Sequence, residues 1–329
     1  MGREDMGRDD MGRAHDLLRY LVLAAVLVAV RMFGGNYLTN LANFVAIQAM
    51  PAIGLSLLMG YTGQISLGHA AFYGLGAYAS VLLASHAGID PWLALLVSAA
   101  LVGFIGWAFG WLVFRLQGHY LAMATLGFGI IVHVCLVEFR DWTGGPDGLT
   151  GIAPLQLAGH ALKSDKQMFP LLWAVCALMI FFSESLVRSP LGLVMRGVAD
   201  NSKVVASLGT SPDRLKRMVL TISAVYAALA GGLYARYIGY LSPSPFDVGF
   251  SIKLLLMVAI GGFARIWGVL FGVAFVVLAS EALRPLGDYD TVVFGLLLVV
   301  AVVYCREGLL VAAWNAARGV VRFERRRAA

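Results

Sequence analysis

The sequence predicts an all-α polytopic membrane protein with about ten transmembrane helices and with both termini in the cytoplasm. Of the 329 residues, 60% are hydrophobic and only 13% are charged, whereas a soluble domain carries roughly 25% charged residues. Apolar stretches also follow one another almost without interruption from Leu17 to Tyr304. Because one membrane crossing needs about 20 helical residues, this length can hold on the order of ten helices with short connections.

A charged repeat precedes the first apolar segment. The chain begins with MGRED, MGRDD and MGRAHD, which have too little apolar content to build a core. We therefore expect residues 1–16 to be a disordered cytoplasmic tail. The next segment, 17–34, is not followed by a small-residue cleavage site, so we interpret it as a retained membrane helix rather than a signal peptide.

Apolar windows bounded by glycine, proline or charge predict the remaining spans. They lie at 41–59, 64–84, 91–114, 119–139, 168–187, 218–238, 249–263, 267–284 and 289–305. The sequence leaves open whether span 64–84 is continuous. Residues 17–305 thus form one transmembrane domain, and a basic cytoplasmic tail follows at 306–329.

Positive charge sets the predicted orientation, because loops rich in lysine and arginine stay in the cytoplasm. The loop 188–217 and the tail after residue 305 are the most basic segments. Even numbers of predicted spans lie before the loop and between the loop and the tail, so all of these segments fall on one side. Topology therefore explains the net charge of +6, and we expect no nucleic acid partner.

A run of glycine and polar residues lies at the start of the third span, at 60–69. Irregular backbone at membrane depth is tolerated only where protein or a water-filled cavity satisfies it, and interrupted helices form many transporter sites. Two interpretations stay open, a substrate pathway or hydrogen bonding between helices. The candidate pathway residues are Gln64, Ser66, Gly68, His69, Tyr73 and Thr125.

Motifs for catalysis and metal binding are absent from the sequence. It contains no GxxxxGK[ST] phosphate loop, no HExxH and no GxSxG, so we expect no catalytic residue and no ATP bound by this chain. The cysteines and histidines lack ligand spacing, so neither a metal site nor a cofactor is predicted. Glu184 and Glu281 lie near span ends, and the sequence identifies no partner for either.

Three stretches of the sequence resemble the branched-chain amino acid ABC importer permeases of the LivM type. They are GYTGQISLGHAAFYGLGAYAS at 60–80, WTGGPDGLTGI at 142–152 and SPLGLVMRGVADNSKVVASLGTSPDRLKR at 189–217. The similarity extends from about Asn40 to Gly308. It implies a multi-pass subunit of a bacterial inner membrane that translocates leucine, isoleucine and valine.

The resemblance also implies the partners. They are a homologous second permease of the LivH type, two cytoplasmic ATPases that bind ATP and Mg²⁺, and a periplasmic substrate-binding protein, all in or around membrane lipid. Because this chain lacks a phosphate loop, energy has to come from such a partner.

The basic loop contains a predicted short helix from Asp200 to Leu208. Asp200 or Asn201 would be its N-cap, Gly209 would end it, and Pro212 disfavours its continuation. ABC permeases carry an EAA-x3-G pattern here, and Gly209 matches its glycine, whereas valines replace the two alanines. The resemblance implies that this helix contacts the ATPase, through Asp200, Lys203, Val204, Val205, Ala206, Gly209 and Pro212.

Three alternative functions remain open at this level. The same architecture could import urea or a short amide, and the sequence does not separate these cargoes from amino acids. An intramembrane enzyme would need paired Asp, His or Cys residues within the spans, and none are evident. A stand-alone channel would give flux from this chain alone.

Overall fold

The computed structural model describes residues 3–283 except 117 and 158, together with residues 292, 293, 295 and 296. The predicted span 289–305, apart from those four residues, and the predicted tail 306–329 lie outside the described residues. The described helices are α1 (Arg3–Phe33), α2 (Asn36–Thr62), α3 (His69–His86), α4 (Pro91–Val113), α5 (His119–Glu138), α6 (Arg140–Thr143), α7 (Asp165–Arg188), α8 (Pro190–Ser207), α9 (Pro212–Ile238), α10 (Val248–Gly261) and α11 (Ile266–Leu283).

Four two-residue strands lie in the connections between helices. Strand β1 (Leu149–Thr150) pairs antiparallel with β4 (Tyr240–Leu241), with Leu149 opposite Leu241. Strands β2 (Gln156–Leu157) and β3 (His160–Ala161) form a second antiparallel pair. The pairing of β1 with β4 joins the connection that precedes α7 to the connection that follows α9.

Six described helices are long and apolar enough to cross a membrane, namely α2, α4, α5, α7, α9 and α11. Helix α10 is also apolar but has only 14 residues. These helices confirm an all-α protein with several potential membrane crossings. They do not confirm the predicted number of about ten spans, and the predicted orientation of the termini stays a prediction.

The N-terminal segment differs from the expectation. Helix α1 begins at Arg3, so the charged repeat is helical, whereas its composition predicts a disordered tail. Extending an existing helix needs no new nucleus, and arginine, glutamate and methionine have favourable helix propensities. The apolar half of α1 therefore provides the helix that the repeat continues.

Helix α9 lies at the centre of the bundle and packs against α2, α3 and α4. Its contact with α3 depends on glycine: a Cβ atom on Gly76 would overlap the backbone of Ala228, and one on Gly231 would overlap the carbonyl group of Tyr73. Small residues let helices approach closely in lipid, where packing drives their association. The α3–α9 contact is therefore a close backbone-to-backbone contact.

The bundle has two ends, which we name by their landmarks. Helix α8 packs against α2, α7 and α9, at the end where α2 and α7 finish and α9 begins, and we call this the α8 end. The opposite end carries the β1–β4 pair, and we call it the strand end. In the predicted orientation, the α8 end faces the cytoplasm.

We predict that Gly76→Ala destabilises the protein, because the added methyl group separates α3 from α9. Overpacking of this kind typically costs about 1–3 kcal/mol. Gly127→Ala is the matched control, since a Cβ atom there has no neighbour within 4 Å and alanine favours a helix over glycine by roughly 0.5–1 kcal/mol. Thermal unfolding in detergent should show a lower midpoint for Gly76→Ala only, and equal midpoints would contradict the proposed packing.

Candidate functional site

The backbone is interrupted between α2 and α3, within the glycine-rich stretch 60–69. Helix α2 ends at Thr62 and is capped by Gly63, which has φ +67°, a value that glycine adopts without strain. The amide groups of Gly63 and Gln64 donate back to the carbonyl groups of Met59 and Leu58 at 3.2 and 3.1 Å. Residues 64–68 are not helical, and α3 begins at His69, so the predicted span 64–84 begins five residues later than expected.

The interruption is stabilised by a buried cluster of polar side chains around His69. Its Nδ1 atom lies 3.0 Å from Ser66 Oγ, and its Nε2 atom lies 2.6 Å from Ser223 Oγ on α9. A neutral imidazole has one donor and one acceptor nitrogen, and a hydroxyl group can complement either. His69 and Ser223 are fully buried, so the cluster joins the start of α3 to the middle of α9.

Thr125 on α5 satisfies the interrupted backbone from the other side. Its Oγ1 accepts from the amide of Leu67 at 3.0 Å and donates to the carbonyl of Ala122 at 3.0 Å. A Cβ atom on Gly68 would come within 2.6 Å of the Thr125 carbonyl oxygen, so only glycine fits there.

The structure thus brings five of the six candidate pathway residues to one place. Ser66 hydrogen-bonds to His69, and Gly68 packs against Thr125. Gln64 lies beside Ser66 and Thr125, and its Nε2 donates to the Thr62 carbonyl at 2.8 Å. The gap lined by Gln64, Ser66 and Thr125 has no room for a water molecule. This geometry favours helix-to-helix hydrogen bonding, and the pathway role of these five residues stays a prediction.

Helix α10 begins inside the bundle, next to the start of α3. The amide of Ala70 donates to Ser251 Oγ at 3.0 Å, and Asp247 caps α10 by accepting from the amide of Phe250 at 2.9 Å. Helices α3 and α10 have 18 and 14 residues, fewer than the 27 residues each of α2 and α9. Shortened helices that meet inside a bundle are typical of transporter sites.

A cavity of about 680 Å³ lies beside these two helices, and we call it the central cavity. Its described lining comes from α2, α9, α10, α11, Tyr73 on α3, the connection that precedes α10, and Gly295. The polar and charged members of the lining are Gln48, Tyr73, Tyr234, Ser244, Asp247, Lys253, Ser280 and Glu281. Tyr73, the sixth candidate pathway residue, is the only one of the six in this described lining.

Gln48 is a site residue that the sequence does not reveal. It lies near the middle of α2, is half-buried, and faces the central cavity. Within the described part of the chain, no hydrogen-bond partner contacts its amide group. A polar group inside a membrane helix is costly unless a partner or a water-filled cavity satisfies it, so Gln48 indicates that the central cavity is wet.

Glu184 has a role that its position in the sequence does not show. Its carboxylate accepts from Tyr20 Oη on α1 at 2.9 Å and from Trp267 Nε1 on α11 at 2.7 Å. Arg188, one turn further along α7, lies 3.4 Å away. The Glu184 side chain therefore connects α1, α7 and α11 at the α8 end.

Helix α8 contains a kink that starts the predicted short helix. Asn201 has φ −154° and ψ 96°, outside the helical region, and its Oδ1 accepts from the amides of Lys203 and Val204 at 3.1 and 3.3 Å. Asn201, rather than the exposed Asp200, is therefore the N-cap. The helix ends at Ser207, and Gly209 follows with φ +85°, its amide donating to the Ala206 carbonyl at 3.0 Å.

The short helix 202–207 has one buried and one exposed valine. Val205 is 9% exposed and packs against the first part of α8, whereas Val204 is 55% exposed and Leu208 is 79% exposed. Lys203 and Ala206 are also exposed, and Pro212 is the first residue of α9. The outer surface of this helix is therefore partly apolar with one positive charge, which suits contact with another protein.

The first part of α8 contacts the interrupted segment directly. The guanidinium group of Arg196 lies 5.8 Å from the centre of the Tyr61 ring. A Cβ atom on Gly63 would come within 3.3 Å of Ala199. Because Tyr61 lies in the last turn of α2 and Gly63 caps it, the first part of α8 packs against the start of the interruption.

The chain matches one protein family over most of its length. The family is described as branched-chain amino acid transport system / permease component, and it matches residues 37–302. This range includes the interrupted segment, the central cavity and α8.

Two relatives come from Escherichia coli (strain K12). The high-affinity branched-chain amino acid transport system permease protein LivM is 32% identical over 317 residues, which cover 89% of this chain and 74% of that protein. The high-affinity branched-chain amino acid transport system permease protein LivH is 28% identical over 277 residues, which cover 78% of this chain and 88% of that protein. Among solved structures, PsaBC from Streptococcus pneumoniae in complex with Fab aligns with a TM-score of 0.45 and 11% identity, over 86% of this chain and 97% of that chain.

Proposed function

Because this chain belongs to the branched-chain amino acid ABC transporter permeases of the LivM type, we propose that it is a permease subunit of an ATP-driven importer. It translocates leucine, isoleucine and valine across a bacterial inner membrane. The family match over residues 37–302 is the observation that carries this proposal. The apolar helices make it a multi-pass membrane protein, as this function requires.

The proposed partners follow from the relatives and from this chain's own surface. Similarity to both a LivM and a LivH permease protein supports assembly with a second, homologous permease. Two partner ATPases bind ATP and Mg²⁺, and they contact this chain at the α8 end. The exposed apolar side chains of Val204 and Leu208 suit such a contact. A periplasmic binding protein delivers the substrate at the strand end.

The central cavity is the proposed passage through this subunit. Its lining reaches Ser244 and Glu281 towards the strand end and Gln48 in the middle of α2. Its walls combine apolar residues such as Phe44 and Val277 with polar ones, and binding in a passage must stay weak enough for release. Gln64, Ser66, Gly68, His69 and Thr125 then position α3, which carries Tyr73 into the cavity wall.

Helix α8 is the proposed coupling element. An ATPase that moves the short helix 202–207 displaces the first part of α8, which contacts Tyr61 and Gly63 at the end of α2. The interrupted segment and α3 follow, and Tyr73 moves with them. This chain of contacts gives the ATPase a mechanical route to the cavity wall without any nucleotide on this subunit.

Reconstitution tests the proposed function. We expect proteoliposomes that contain this chain, its second permease and both ATPases to accumulate leucine when ATP and the binding protein are supplied. Vesicles with this chain alone should accumulate none, because no energy source is present. Leucine uptake by the isolated chain would contradict the proposal in favour of a channel, and uptake of urea but not leucine would assign the alternative cargo.

Gly209→Pro should uncouple ATP hydrolysis from transport. Proline cannot adopt φ +85° and lacks the amide that bonds to Ala206, so the end of the coupling helix is lost. We expect leucine uptake per ATP hydrolysed to fall by about ten-fold or more, which corresponds to roughly 1.4 kcal/mol, while expression is retained. Gly88→Pro is the control, since Gly88 also has positive φ and open space but follows α3 at the strand end. Unchanged coupling in Gly209→Pro would exclude this role.

Two glutamine substitutions compare the two candidate pathways. Gln48→Leu removes the amide from the central cavity and should slow leucine uptake at least several-fold without preventing insertion. Gln64→Leu alters the interrupted segment and is also expected to change uptake kinetics. Initial rates over a range of leucine concentrations measure both effects. Wild-type kinetics in Gln64→Leu would show that the interrupted segment has only a packing role. Wild-type kinetics in Gln48→Leu would exclude the central cavity as the substrate passage.

A further inference from the structure

Charged side chains of opposite sign line the central cavity from neighbouring helices. Lys253 lies on α10, Glu281 lies on α11, and Asp247 lies at the start of α10. Ionisable residues inside membrane proteins are rare and mark substrate pathways. We propose that the central cavity is a transient binding site for a zwitterionic amino acid, in which Lys253 binds the carboxylate and Glu281 binds the ammonium group. This inference rests on the proposed function, and it names the side chains that bind the substrate in the passage.

The two charges lie at different levels along the cavity. Helices α10 and α11 are antiparallel, and their closest backbone contacts place Gly261 opposite Gly268 and Met257 opposite Gly272. At 1.5 Å per residue, Lys253 lies about 6 Å from the Met257 level towards the strand end, and Glu281 lies about 13 Å from it in the same direction. An amino acid between them is therefore oriented with its ammonium group towards the strand end.

The side chain of the substrate has an apolar wall to contact. Tyr73 stacks on Phe250 with ring centres 5.0 Å apart, and it also contacts Tyr234 at 5.7 Å. Phe44 and Val277 line the same cavity. An aliphatic side chain gains hydrophobic stabilisation against this surface.

The arrangement favours weak binding, which a passage requires. Lys253 and Glu281 each also take part in an interaction within the chain, so substrate charges exchange with existing contacts rather than adding to them. Lysine offers a point charge rather than the two-pronged contact of arginine. The volume of about 680 Å³ is large enough for a drug-sized ligand, so one amino acid fits loosely.

Charge substitutions in the complete transporter test the site. In proteoliposomes with all subunits and the binding protein, Lys253→Met and Glu281→Gln should each lower leucine uptake about ten-fold or more, the effect of losing one charged hydrogen bond. Lys253→Arg, which keeps the charge, should stay within about three-fold of the wild type. Lys166→Met and Glu138→Gln are the matched controls, because both residues are exposed and outside the described cavity lining, and they should transport normally. Copurification of the subunits checks assembly.

Chemical restoration of the charge separates binding from a structural role. Lys253→Cys should lose uptake, and treatment with aminoethyl methanethiosulfonate, which adds a positive charge, should restore it to within about three-fold. Methyl methanethiosulfonate, which adds no charge, should not restore it. The wild-type complex treated with each reagent controls for the native cysteines.

The outcomes distinguish this inference from the proposed function. Uptake within two-fold of the wild type in both Lys253→Met and Glu281→Gln would overturn the binding site while leaving the importer intact, and equal restoration by both reagents would overturn the role of the lysine charge. If Lys253→Met fails to assemble, Glu281→Gln decides in its place. A wild-type complex that transports no leucine would instead overturn the proposed function.

Discussion

The fold depends on satisfying irregular backbone inside an apolar bundle. An unpaired amide or carbonyl group at membrane depth costs several kcal/mol, so the interruption before α3 is possible only with nearby partners. Thr125 and Ser251 provide them by accepting from the amides of Leu67 and Ala70. Ser66 and Ser223 pair instead with the buried His69 side chain. These small hydroxyl groups let α3 and α10 begin inside the protein, and the central cavity lies beside the two starts.

Two kinds of contact hold the helices together, close packing at glycines and hydrogen bonds between polar side chains. Glycines let α3 and α9 meet at backbone distance, which fixes the position of Tyr73 relative to α9. Hydrogen bonds such as those of Glu184 join helices that pack less closely, including α1. The close α3–α9 pair thus supports one wall of the cavity, while α10 and α11 form another.

The sequence predicts features that depend on neighbouring residues and misses those that depend on distant ones. The glycines at 60–68 indicate the interruption, and Asn201 and Gly209 indicate the short helix, because caps and positive φ values are local properties. The cavity position of Gln48 is not local, since an apolar window does not reveal which face of a helix meets a cavity. The partners of Glu184 are likewise 164 and 83 residues away. The helical charged repeat was missed because composition describes isolated segments, not extensions of a helix.

Val204 and Val205 are consecutive and chemically identical, yet one is exposed and the other is buried. Substitutions at the two positions are therefore under different selective constraints. A change at the buried position must suit this subunit's own interior, whatever binds outside. A change at the exposed position must suit a neighbouring molecule, and it can be compensated by a matching change in that neighbour. Co-evolution between subunits is therefore expected at residue 204 and not at residue 205.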